Sequence, residues 1–350
     1  MVMSVMRQPE AAQQVAVVTG GTGYIGRHLI QALDSCGWRV RAWGRRPRPH
    51  DLPAAVDYCQ ADLTADQPLD EICHQATHVF HLAGASSSRS SPEEMERVNV
   101  VGTERLCEAA ARAGVHRIVH VSTSAVYGKK VALPQPILED VEAHPDPGYS
   151  QTKWQAEQVV WRYADKGVAV AVLRPVTVYG PGAIKLLGST ILDAAIERFA
   201  GLDAFAIDRQ PVELRMVHID DVVAALVHLA TDQAAVGRAF NLAAETYPTS
   251  HTVAQAVADE VGIAVELSDD PDAGLPYDER MAVRERMLAA GMRGNIFVPP
   301  QRIRFLKKAN PNNRLSLDAL RSTGFRLGVI DLLTSIRATV CWYRDHRWIL

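Results

Sequence analysis

Short apolar runs alternate with longer amphipathic stretches through the first half of the chain. The apolar runs, many of them β-branched, predict strands at residues 15–19, 38–44, 56–60, 77–84, 116–122 and 168–175. Between them, apolar positions at helical spacing predict helices at residues 25–37, 92–113 and 149–165. Strands that alternate with helices form parallel βαβ units, and runs this continuous suit strands covered on both faces. The pattern therefore predicts an α/β protein with a doubly wound parallel sheet.

The regular alternation of predicted strands and helices ends after Gly180. The pattern there predicts mixed helix and loop at residues 182–210, a strand at 212–219, a helix at 220–231, a strand at 238–243 and a helix ending at Val261. Residues 268–313 are rich in charge, Pro and Gly, with one amphipathic stretch at 279–291. The end of the chain has helical spacing again, so the second half is expected to be mixed α/β.

Composition and charge exclude several classes of protein. The chain has 350 residues, 47% of them hydrophobic and 22% charged, which is enough to bury a large core. A net charge of −3 gives no strong field for nucleic acid or an anionic membrane, so neither partner is predicted. Five cysteines form no Cys-x-x-Cys pair, which favours a reducing compartment. With no signal-peptide pattern and no apolar run of membrane-spanning length, we expect a cytoplasmic protein.

A glycine-rich turn follows the first predicted strand. Gly20, Gly23 and Gly26 have the spacing of a turn that binds the pyrophosphate of a dinucleotide, and they lie between a β-branched strand and an amphipathic helix. The N–H groups and the positive dipole end at the start of such a helix suit a diphosphate. We predict that Gly20, Gly23, Tyr24 and Ile25 bind a dinucleotide. The alternative is an ordinary glycine-rich turn.

Two arginines follow the second predicted strand, where an NAD site usually carries an acid. An acid there would repel a ribose 2′-phosphate, whereas Arg45 and Arg46 can each bind one through two hydrogen bonds. We therefore predict NADP(H) as the cofactor, with NAD as the alternative. The competing interpretation is a solvated basic edge that also includes Arg41 and Arg48.

A Tyr-x-x-x-Lys pair begins the helix predicted at residues 149–165. The spacing places Tyr149 and Lys153 on one helix face. A free phenol has a pKa of about 10, and a nearby ammonium lowers that value, so Tyr149 is predicted to exchange a proton with a substrate oxygen during hydride transfer. The hydroxyls of Ser122, Thr123 and Ser124 follow the fifth strand, at the sheet edge where such folds place active sites. One of them would hold the reacting oxygen near Tyr149.

The order of several segments resembles one enzyme family. TGGTGYIG, HLAG, VNVVGT, VSTSAVYG, YSQTK and LRPVTVYGPG occur as in the extended short-chain dehydrogenases/reductases, the NAD-dependent epimerase/dehydratase family. The resemblance covers about residues 15–243 and implies a Rossmann-like domain with a smaller mixed α/β C-terminal substrate domain. We expect a flexible N-terminus at 1–13, a Rossmann NADP-binding domain at 14–180 and a mainly substrate-binding domain at 181–350. Residues 214–243 are expected to return to the Rossmann core.

The resemblance also implies roles for individual residues. Thr123, four residues before Tyr127, falls on the family's catalytic Ser/Thr position, and Tyr149 and Lys153 match its base and its ribose-binding lysine. The implied cofactor contacts are Asp62 and Leu63 at the adenine, Leu82, Ala83 and Gly84 at the central part, and Ser122, Tyr149, Lys153, Pro175 and Val176 toward the nicotinamide. The implied substrate contacts are Ala85, Ser86, Thr123, Ser124 and Thr177. The helices at 92–113 and 149–165 imply a homodimer.

In two segments the chain differs from members of the family, and these differences reduce the number of reactions and substrates expected for it. Sugar 4,6-dehydratases of the family carry Thr-Asp-Glu where this chain has Thr123-Ser124-Ala125, so the acids that help to remove water are missing. Many nucleotide-sugar members carry Asn where this chain has Thr177, which weakens the case for a nucleotide-sugar substrate. The arginines after the second strand resemble the NADP-using reductase branch.

Other patterns receive structural interpretations. His78 and His81 lie at odd spacing on one strand and so point to opposite faces, which argues against a metal site with His74. Asp220 is interpreted as a helix N-cap, and Tyr127 and Tyr179 as packing residues. The serine-rich loop at 86–91 is a weak hint of a substrate contact. The basic residues Arg302, Arg304, Lys307 and Lys308 are interpreted as a solvated face, with a substrate phosphate contact as the alternative.

Three functions are consistent with these patterns. The first is an NADP(H)-dependent oxidoreductase that interconverts a ketone and a secondary alcohol, with Tyr149 as general acid/base, acting on a small-molecule carbonyl or sugar. The second is an epimerase of a nucleotide-linked sugar with tightly bound NAD(P). The third is a nucleotide-binding regulator without catalysis, which the retained Tyr149 and Lys153 disfavour.

Overall fold

The computed structural model describes residues 13–86, 90–129, 131–270, 273–294, 314–329 and 331–350, and its strands are given first. They are β1 (Val15–Thr19), β2 (Arg39–Gly44), β3 (Asp57–Gln60), β4 (His78–His81), β5 (Arg117–Val121), β6 (Val170–Pro175), β7 (Thr177–Tyr179), β8 (Ala204–Asp208), β9 (Met216–His218), β10 (Arg238–Leu242) and β11 (Ala264–Ser268).

Seven strands form one parallel sheet in the order β10-β6-β5-β4-β1-β2-β3. In its register Thr19, the last residue of β1, lies beside Trp43 of β2 and His81 of β4. The strand order reverses between β1 and β4, and in doubly wound sheets ligands bind at the carboxyl ends of the strands at such a reversal. The predicted Rossmann-like α/β fold is confirmed.

Burial explains why the central strands could be recognised from their composition. Ala16, Val17 and Val18 of β1 are fully buried, and every residue of β4 and β5 is buried. By contrast, three of the four residues of the edge strand β3 are exposed. The expectation of strands covered on both faces therefore holds for the centre of the sheet and not for its β3 edge.

The helices of the described residues match most of the predicted amphipathic stretches. They are α1 (Tyr24–Ser35), α2 (Asp70–Cys73), α3 (Pro92–Glu96), α4 (Gly102–Arg112), α5 (Tyr149–Ala164), α6 (Leu187–Ala200), α7 (Ile219–Thr231), α8 (Ser250–Val261), α9 (Tyr277–Ala289), α10 (Asp318–Ser322) and α11 (Leu332–Asp345).

The helix predicted at residues 92–113 contains one π-helical turn. Arg97–Val101 forms this turn between α3 and α4. Ser91 caps the start of α3 by accepting a hydrogen bond from the Glu94 N–H, and Pro92 takes the first helical position, where its missing N–H costs nothing. Such turns often occur at functional sites, and this one carries the buried Asn99.

The second half of the chain contains short strand pairs that the pattern did not predict. β7 pairs with β9, and β8 pairs with β11, both in parallel. The strand predicted at residues 212–219 is reduced to β9. Because α7 begins at Ile219, Asp220 lies inside its first turn, and the interpretation of Asp220 as an N-cap is wrong. Instead, the Asp220 N–H donates to Nδ1 of His218 at 3.3 Å.

Packing divides the chain into two compact units. Unit 1 comprises the chain up to Val121, with Gln155–Ala171 and Leu229–Arg238, and unit 2 comprises Ser122–Trp154, Val172–His228 and Ala239–Leu350. The division predicted at residue 180 stays a prediction. Within the described residues, no helix is long and apolar enough to cross a membrane.

A buried ion pair joins two helices of unit 2. Nη1 of Arg280 on α9 lies 3.1 Å from Oδ1 of Asp193 on α6, and the two side chains are 2% and 5% exposed. Removing one partner of an ion pair buried this completely destabilises the fold strongly, because the remaining buried charge loses its counter-charge.

Replacing Arg280 is therefore expected to destabilise the protein. In Arg280→Ala the free energy of unfolding should fall by about 3–5 kcal/mol, since the Asp193 carboxylate stays buried. Urea denaturation followed by circular dichroism measures this loss. The control is Arg209→Ala, which removes the exposed 2.7 Å pair with Asp269 and should cost about 0–1 kcal/mol. Equal losses in the two variants would contradict the interpretation.

Candidate active site

The glycine turn closes tightly between β1 and α1. Gly20 has a φ of +71°, a conformation that side chains other than glycine rarely adopt. The Gly23 N–H donates to the Gly20 carbonyl oxygen at 2.8 Å. Gly23 is the N-cap of α1 and has no side chain to cap the helix, and the first turn of α1 contains no acidic residue. The start of α1 therefore keeps its positive character, as anion binding requires.

Side chains cannot be added at two of these glycines. A Cβ atom at Gly26 would lie 2.3 Å from the Gly20 carbonyl oxygen. A Cβ atom at Gly20 would lie 2.8 Å from the Ala83 nitrogen, which belongs to the loop after β4. The turn thus presents bare backbone at the start of a helix, and this arrangement fits the diphosphate of a dinucleotide.

A buried hydrogen-bond network connects the residue before the glycine turn, Thr19, to the loop after β4. Nδ1 of His81 lies 2.8 Å from Oγ1 of Thr19, and Nε2 of His81 lies 2.8 Å from Oγ1 of Thr103. Thr103 donates its hydroxyl proton to the Asn99 carbonyl, and the Ala83 N–H donates to Thr19. If His81 is neutral and carries its proton on Nε2, each of these hydrogen bonds has one donor and one acceptor. The network ties the end of β1 to the loop after β4.

Asn99 fixes the loop that the resemblance assigns to cofactor and substrate. Its Oδ1 accepts the Ala85 N–H at 2.7 Å, and its Nδ2 donates to the Ala85 carbonyl at 3.0 Å. Ala85 is consequently buried, while Ser86 is half-buried. This function of Asn99 was not predicted, although a polar residue inside an amphipathic helix was a signal for it.

The loop after β4 and the segment after β3 contain the other predicted cofactor residues of unit 1. Leu82 and Ala83 are half-buried, Gly84 is exposed and Leu63 is buried. Asp62 accepts hydrogen bonds from the N–H and the hydroxyl of Thr64, both at 2.8 Å. Burial acts to raise the pKa of Asp62, but these hydrogen bonds and the charges of two nearby arginines lower it below its usual value.

The four arginines around β2 differ in their surroundings. Arg41 donates to the carbonyls of Ile72 and His74, and Arg48 donates to those of Pro53 and Val56. Both side chains thus have backbone partners, with Arg41 half-buried and Arg48 exposed, and the interpretation as a solvated basic edge stays a prediction. Arg45 forms an ion pair with Glu94 at 3.0 Å, whereas the exposed Arg46 side chain has no ion pair within the described residues. The predicted cofactor role of Arg45 and Arg46 stays a prediction.

Thr123 starts a turn at the end of β5. It is the N-cap of a 3₁₀ helix at Ser124–Tyr127, and its Oγ1 accepts the Ala125 N–H at 3.2 Å. A hydroxyl that accepts from the backbone keeps its own proton available to donate. The preceding Ser122 is buried, and within the described residues its Oγ has no hydrogen-bond partner. Such an unpaired buried hydroxyl calls for a ligand or water contact.

Tyr149 and Lys153 occupy the first two turns of α5. The helix begins at Tyr149, and the i, i+4 spacing puts both side chains on one face. Tyr149 is half-buried and Lys153 is buried. The predicted lowering of the Tyr149 pKa is wrong for this structure, because burial disfavours the phenolate and raises the pKa to about 12. At neutral pH the phenol of Tyr149 therefore keeps its proton.

A buried arginine holds the segments of Thr123 and Tyr149 together. Nη1 of Arg174 on β6 donates to the Tyr127 hydroxyl and to the Glu139 carbonyl, each at 2.8 Å. Its guanidinium carbon also lies 5.3 Å from the ring centre of Tyr127 and 5.8 Å from that of Trp154, which follows Lys153. The turn that starts at Thr123 and the beginning of α5 are thus packed against one guanidinium.

Asn241 completes the support of this turn. The Tyr127 hydroxyl donates to Oδ1 of Asn241 at 2.8 Å, while the Asn241 N–H donates to a Glu139 carboxylate oxygen at 2.8 Å. Tyr127 is buried, as is Tyr179, which confirms both as packing residues. Arg174, Asn241 and Glu139 were not predicted from the sequence, since each acts through another residue.

The segment after Arg174 contains the remaining predicted contacts. Pro175 and Val176 are buried, and the Val176 N–H donates to the Leu242 carbonyl at 2.9 Å. Thr177 is exposed at the start of β7, and Ser124 is half-buried. The roles predicted for these residues, and for the others of the candidate site, stay predictions.

The two histidines of β4 have different hydrogen-bond partners. Nε2 of His78 lies 3.1 Å from the Ala230 carbonyl oxygen, so His78 and His81 have separate partners. In the described portion of the chain, no group of three His, Cys, Asp or Glu residues could hold a metal ion. Arg302, Arg304, Lys307 and Lys308 lie outside the described residues, as do residues 87–89 of the serine-rich loop.

A family model for the NAD-dependent epimerase/dehydratase family matches residues 16–243. The chain belongs to this family. It is 36% identical over 200 residues to a 4-hydroxy-2-methyl-3-oxo-4-farnesyl-3,4-dihydroquinoline-1-oxide ketoreductase from Stigmatella aurantiaca, across 53% of this chain and 57% of the relative. It is 32% identical to a ceramide reductase from Caulobacter vibrioides, across 62% of this chain and 61% of the relative. The chain therefore spans about three fifths of the length of these relatives.

Two solved structures share the fold of most of the chain. The structure of MoeE5 in complex with UDP-glucuronic acid and NAD is 25% identical, with a TM-score of 0.71, and the match covers 94% of this chain and 99% of MoeE5. A UDP-glucose 4-epimerase from Thermotoga maritima is 22% identical, with a TM-score of 0.74, over 95% of this chain and 99% of the epimerase. The latter likeness is one of fold alone.

The turn geometry predicts that Gly26→Ala damages both folding and dinucleotide binding. The new methyl would lie 2.3 Å from the Gly20 carbonyl oxygen, so the turn must deform. We expect a lower melting temperature and loss of dinucleotide binding in fluorescence titrations. The control is Gly37→Ala, where φ is +79° but nothing lies within 4 Å of the added Cβ; it should cost about 1 kcal/mol and leave binding intact. Normal dinucleotide binding by the Gly26 variant would refute the proposed role of the glycine turn in binding the diphosphate.

Proposed function

We propose that the protein is an NADP(H)-dependent oxidoreductase that interconverts a ketone and a secondary alcohol. The observation that carries this proposal is the set formed by Thr123, Tyr149 and Lys153, whose segments pack against one buried guanidinium. A hydroxyl, a phenol and a buried ammonium are the groups that a carbonyl reduction needs to hold an oxygen, to protonate it and to orient a ribose. Non-catalytic nucleotide binding would not require them.

The glycine turn and Ser122 are the groups proposed to hold the cofactor. The bare backbone from Gly20 to Gly26 would accept the diphosphate, and Lys153 would bind ribose hydroxyls. When bound, NADPH supplies the hydride. The complex of MoeE5 with NAD, in a protein 25% identical to this chain, supports a nicotinamide cofactor. Arg45 and Arg46 support NADP(H) over NAD, and lower Michaelis constants for NADPH than for NADH would test this preference.

Tyr149 is proposed to act as the general acid of reduction. Thr123 donates a hydrogen bond to the substrate carbonyl oxygen, which places that oxygen near the phenol. As the carbonyl carbon gains a hydride, the C=O double bond becomes a single bond and the oxygen takes the Tyr149 proton. The raised pKa of Tyr149 keeps this proton in place at neutral pH. Lys153 is the cation that stabilises the resulting phenolate until a proton from water restores the phenol.

The substrate is proposed to be a ketone on a large apolar molecule. The relatives support this class, because one is named as the ketoreductase of a farnesylated quinoline and another as a ceramide reductase. Thr177 and the absence of acids at Ser124 and Ala125 also disfavour sugar dehydration and nucleotide-sugar binding. A screen of apolar ketones by NADPH absorbance would identify the substrate. We further propose that the protein is a cytoplasmic homodimer, which the five free thiols and the family resemblance support.

A nucleotide-sugar epimerase is the second candidate function. It is favoured by the match to MoeE5, whose structure contains UDP-glucuronic acid and covers nearly the whole of this chain. An epimerase oxidises and re-reduces one carbon, so it uses no cofactor on balance. Purified protein that retains its nucleotide and converts a UDP-sugar without added NADPH would establish epimerisation, whereas stoichiometric NADPH consumption with a ketone would establish reduction.

Removing the Tyr149 hydroxyl should abolish turnover and spare cofactor binding. In Tyr149→Phe we expect kcat to fall by about 10²–10⁴-fold, because the proton donor is lost, while the Kd for NADPH stays unchanged. Tyr163→Phe is the matched control, since it removes the hydroxyl of another tyrosine on the same helix and should keep full activity. Near-normal turnover in the Tyr149 variant would remove the proposed role.

The two directions of the reaction should depend differently on pH. Because burial raises the Tyr149 pKa to about 12, the phenol stays protonated and kcat/KM for ketone reduction should be flat from about pH 6 to pH 9. Alcohol oxidation needs the phenolate, so its kcat/KM should rise as the pH increases over the same range. A fall in reduction with an apparent pKa near neutrality would instead mean that Lys153 dominates over burial.

A further inference from the structure

The carboxylate of Glu94 forms an ion pair with Arg45, one of the two arginines predicted to bind a 2′-phosphate. Nη1 of Arg45 lies 3.0 Å from Oε1 of Glu94, with side-chain exposures of 50% and 33%. The neighbouring Arg46 is exposed, and its side chain has no ion pair in the part of the chain that the structure describes. The two arginines are therefore not equivalent: one is paired and the other is open to solvent.

The backbone places Arg45 beside the glycine turn. The Gly21 N–H donates to the Trp43 carbonyl at 2.9 Å, so the turn is hydrogen-bonded to the end of β2. A Cβ atom at Gly44 would lie 2.8 Å from the Thr22 side chain, which shows how closely the two segments pack. In folds of this kind the adenosine ribose of a dinucleotide binds at the end of the second strand, next to the pyrophosphate turn. Arg45 would thus be a residue that contacts a ribose 2′-substituent.

Four charged groups surround this position. Hydrogen bonds from Arg45 and Ser90 lower the pKa of Glu94, and the positive charges of Arg45 and Arg97 lower it further. The same two arginines act on Asp62, but Asp62 is hydrogen-bonded to Thr64 instead. Glu94 is therefore the carboxylate that directly competes for the Arg45 guanidinium.

We propose that Glu94 is a specificity-determining residue, because its carboxylate must be displaced from Arg45 before a ribose 2′-phosphate can bind there. Glu94 thus weakens the binding of NADP(H) and has no such effect on NAD(H), which carries no 2′-phosphate. The inference rests on the proposed use of a nicotinamide dinucleotide. It adds a residue on α3, outside the predicted cofactor-binding set, that tunes the choice between the two dinucleotides.

The test is the affinity of Glu94→Gln for NADP⁺, NAD⁺ and 2′,5′-ADP, measured by isothermal titration calorimetry at low ionic strength. Exposed ion pairs are weak, so we expect NADP⁺ and 2′,5′-ADP to bind about two- to fivefold more tightly. The affinity for NAD⁺ should not change. Thermal melting of each variant checks that the fold is kept.

Glu93→Gln is the matched control. Glu93 lies in the same first turn of α3, and its carboxylate is hydrogen-bonded to Ser91. The substitution removes the same charge from the same turn but leaves Arg45 paired, so it should not change any of the three affinities. Equal tightening by both variants would show a long-range charge effect and overturn the proposal.

A double variant decides whether Glu94 acts through Arg45. In Arg45→Gln the further substitution Glu94→Gln should have no effect on NADP⁺ affinity, because the competition has been removed. A full effect there would overturn the proposal, as would unchanged NADP⁺ affinity in Glu94→Gln alone. If the pattern holds but no ketone is reduced, the inference stands and the proposed reaction fails. If the unaltered protein binds neither dinucleotide, both fail.

Discussion

The buried guanidinium of Arg174 is the interaction on which the candidate catalytic set depends. A buried charge must be surrounded by acceptors and aromatic faces, because leaving it unpaired costs several kcal/mol. Here those partners are the Tyr127 hydroxyl, the Glu139 carbonyl and the Trp154 ring. Tyr127 belongs to the turn after β5 and Trp154 to the early part of α5, so contacts to one guanidinium connect these two segments. Thr123 precedes Tyr127 in that turn and Tyr149 begins the helix that contains Trp154, so the same contacts help to position both residues.

The glycine turn imposes the opposite kind of constraint, since it works by having no side chains. Its backbone atoms approach one another within distances that a Cβ atom at Gly26 would violate, and Asn99 and His81 pin the facing loop through buried hydrogen bonds. Buried hydrogen bonds of His81 and Asn99 therefore hold the loop that faces the glycine turn. Such support is what allows a bare backbone to keep a fixed shape for an anion.

Sequence patterns predicted what depends on local spacing and missed what depends on distant partners. The central strands, the glycine turn and the helix beginning at Tyr149 follow from short periodicities, and the structure contains all of them. Asn99 in the π turn is hydrogen-bonded to Ala85, fourteen residues away, and no helical periodicity contains such a contact. Likewise, the ion pair of Arg45, which follows β2, with Glu94 of α3 was not predicted, because it joins residues 49 positions apart.

The Tyr149 pKa shows why proximity in sequence does not fix the sign of an electrostatic effect. The i, i+4 spacing puts an ammonium on the same helix face as the phenol, and Coulomb attraction from a cation close to the phenol would lower its pKa. Burial acts against it, since the charged phenolate loses more hydration than the neutral phenol, and here burial prevails. A phenol that keeps its proton at neutral pH is suited to reduction, in which the proton must be given away. The amount of burial, which the sequence does not encode locally, thus favours one direction of the proposed reaction.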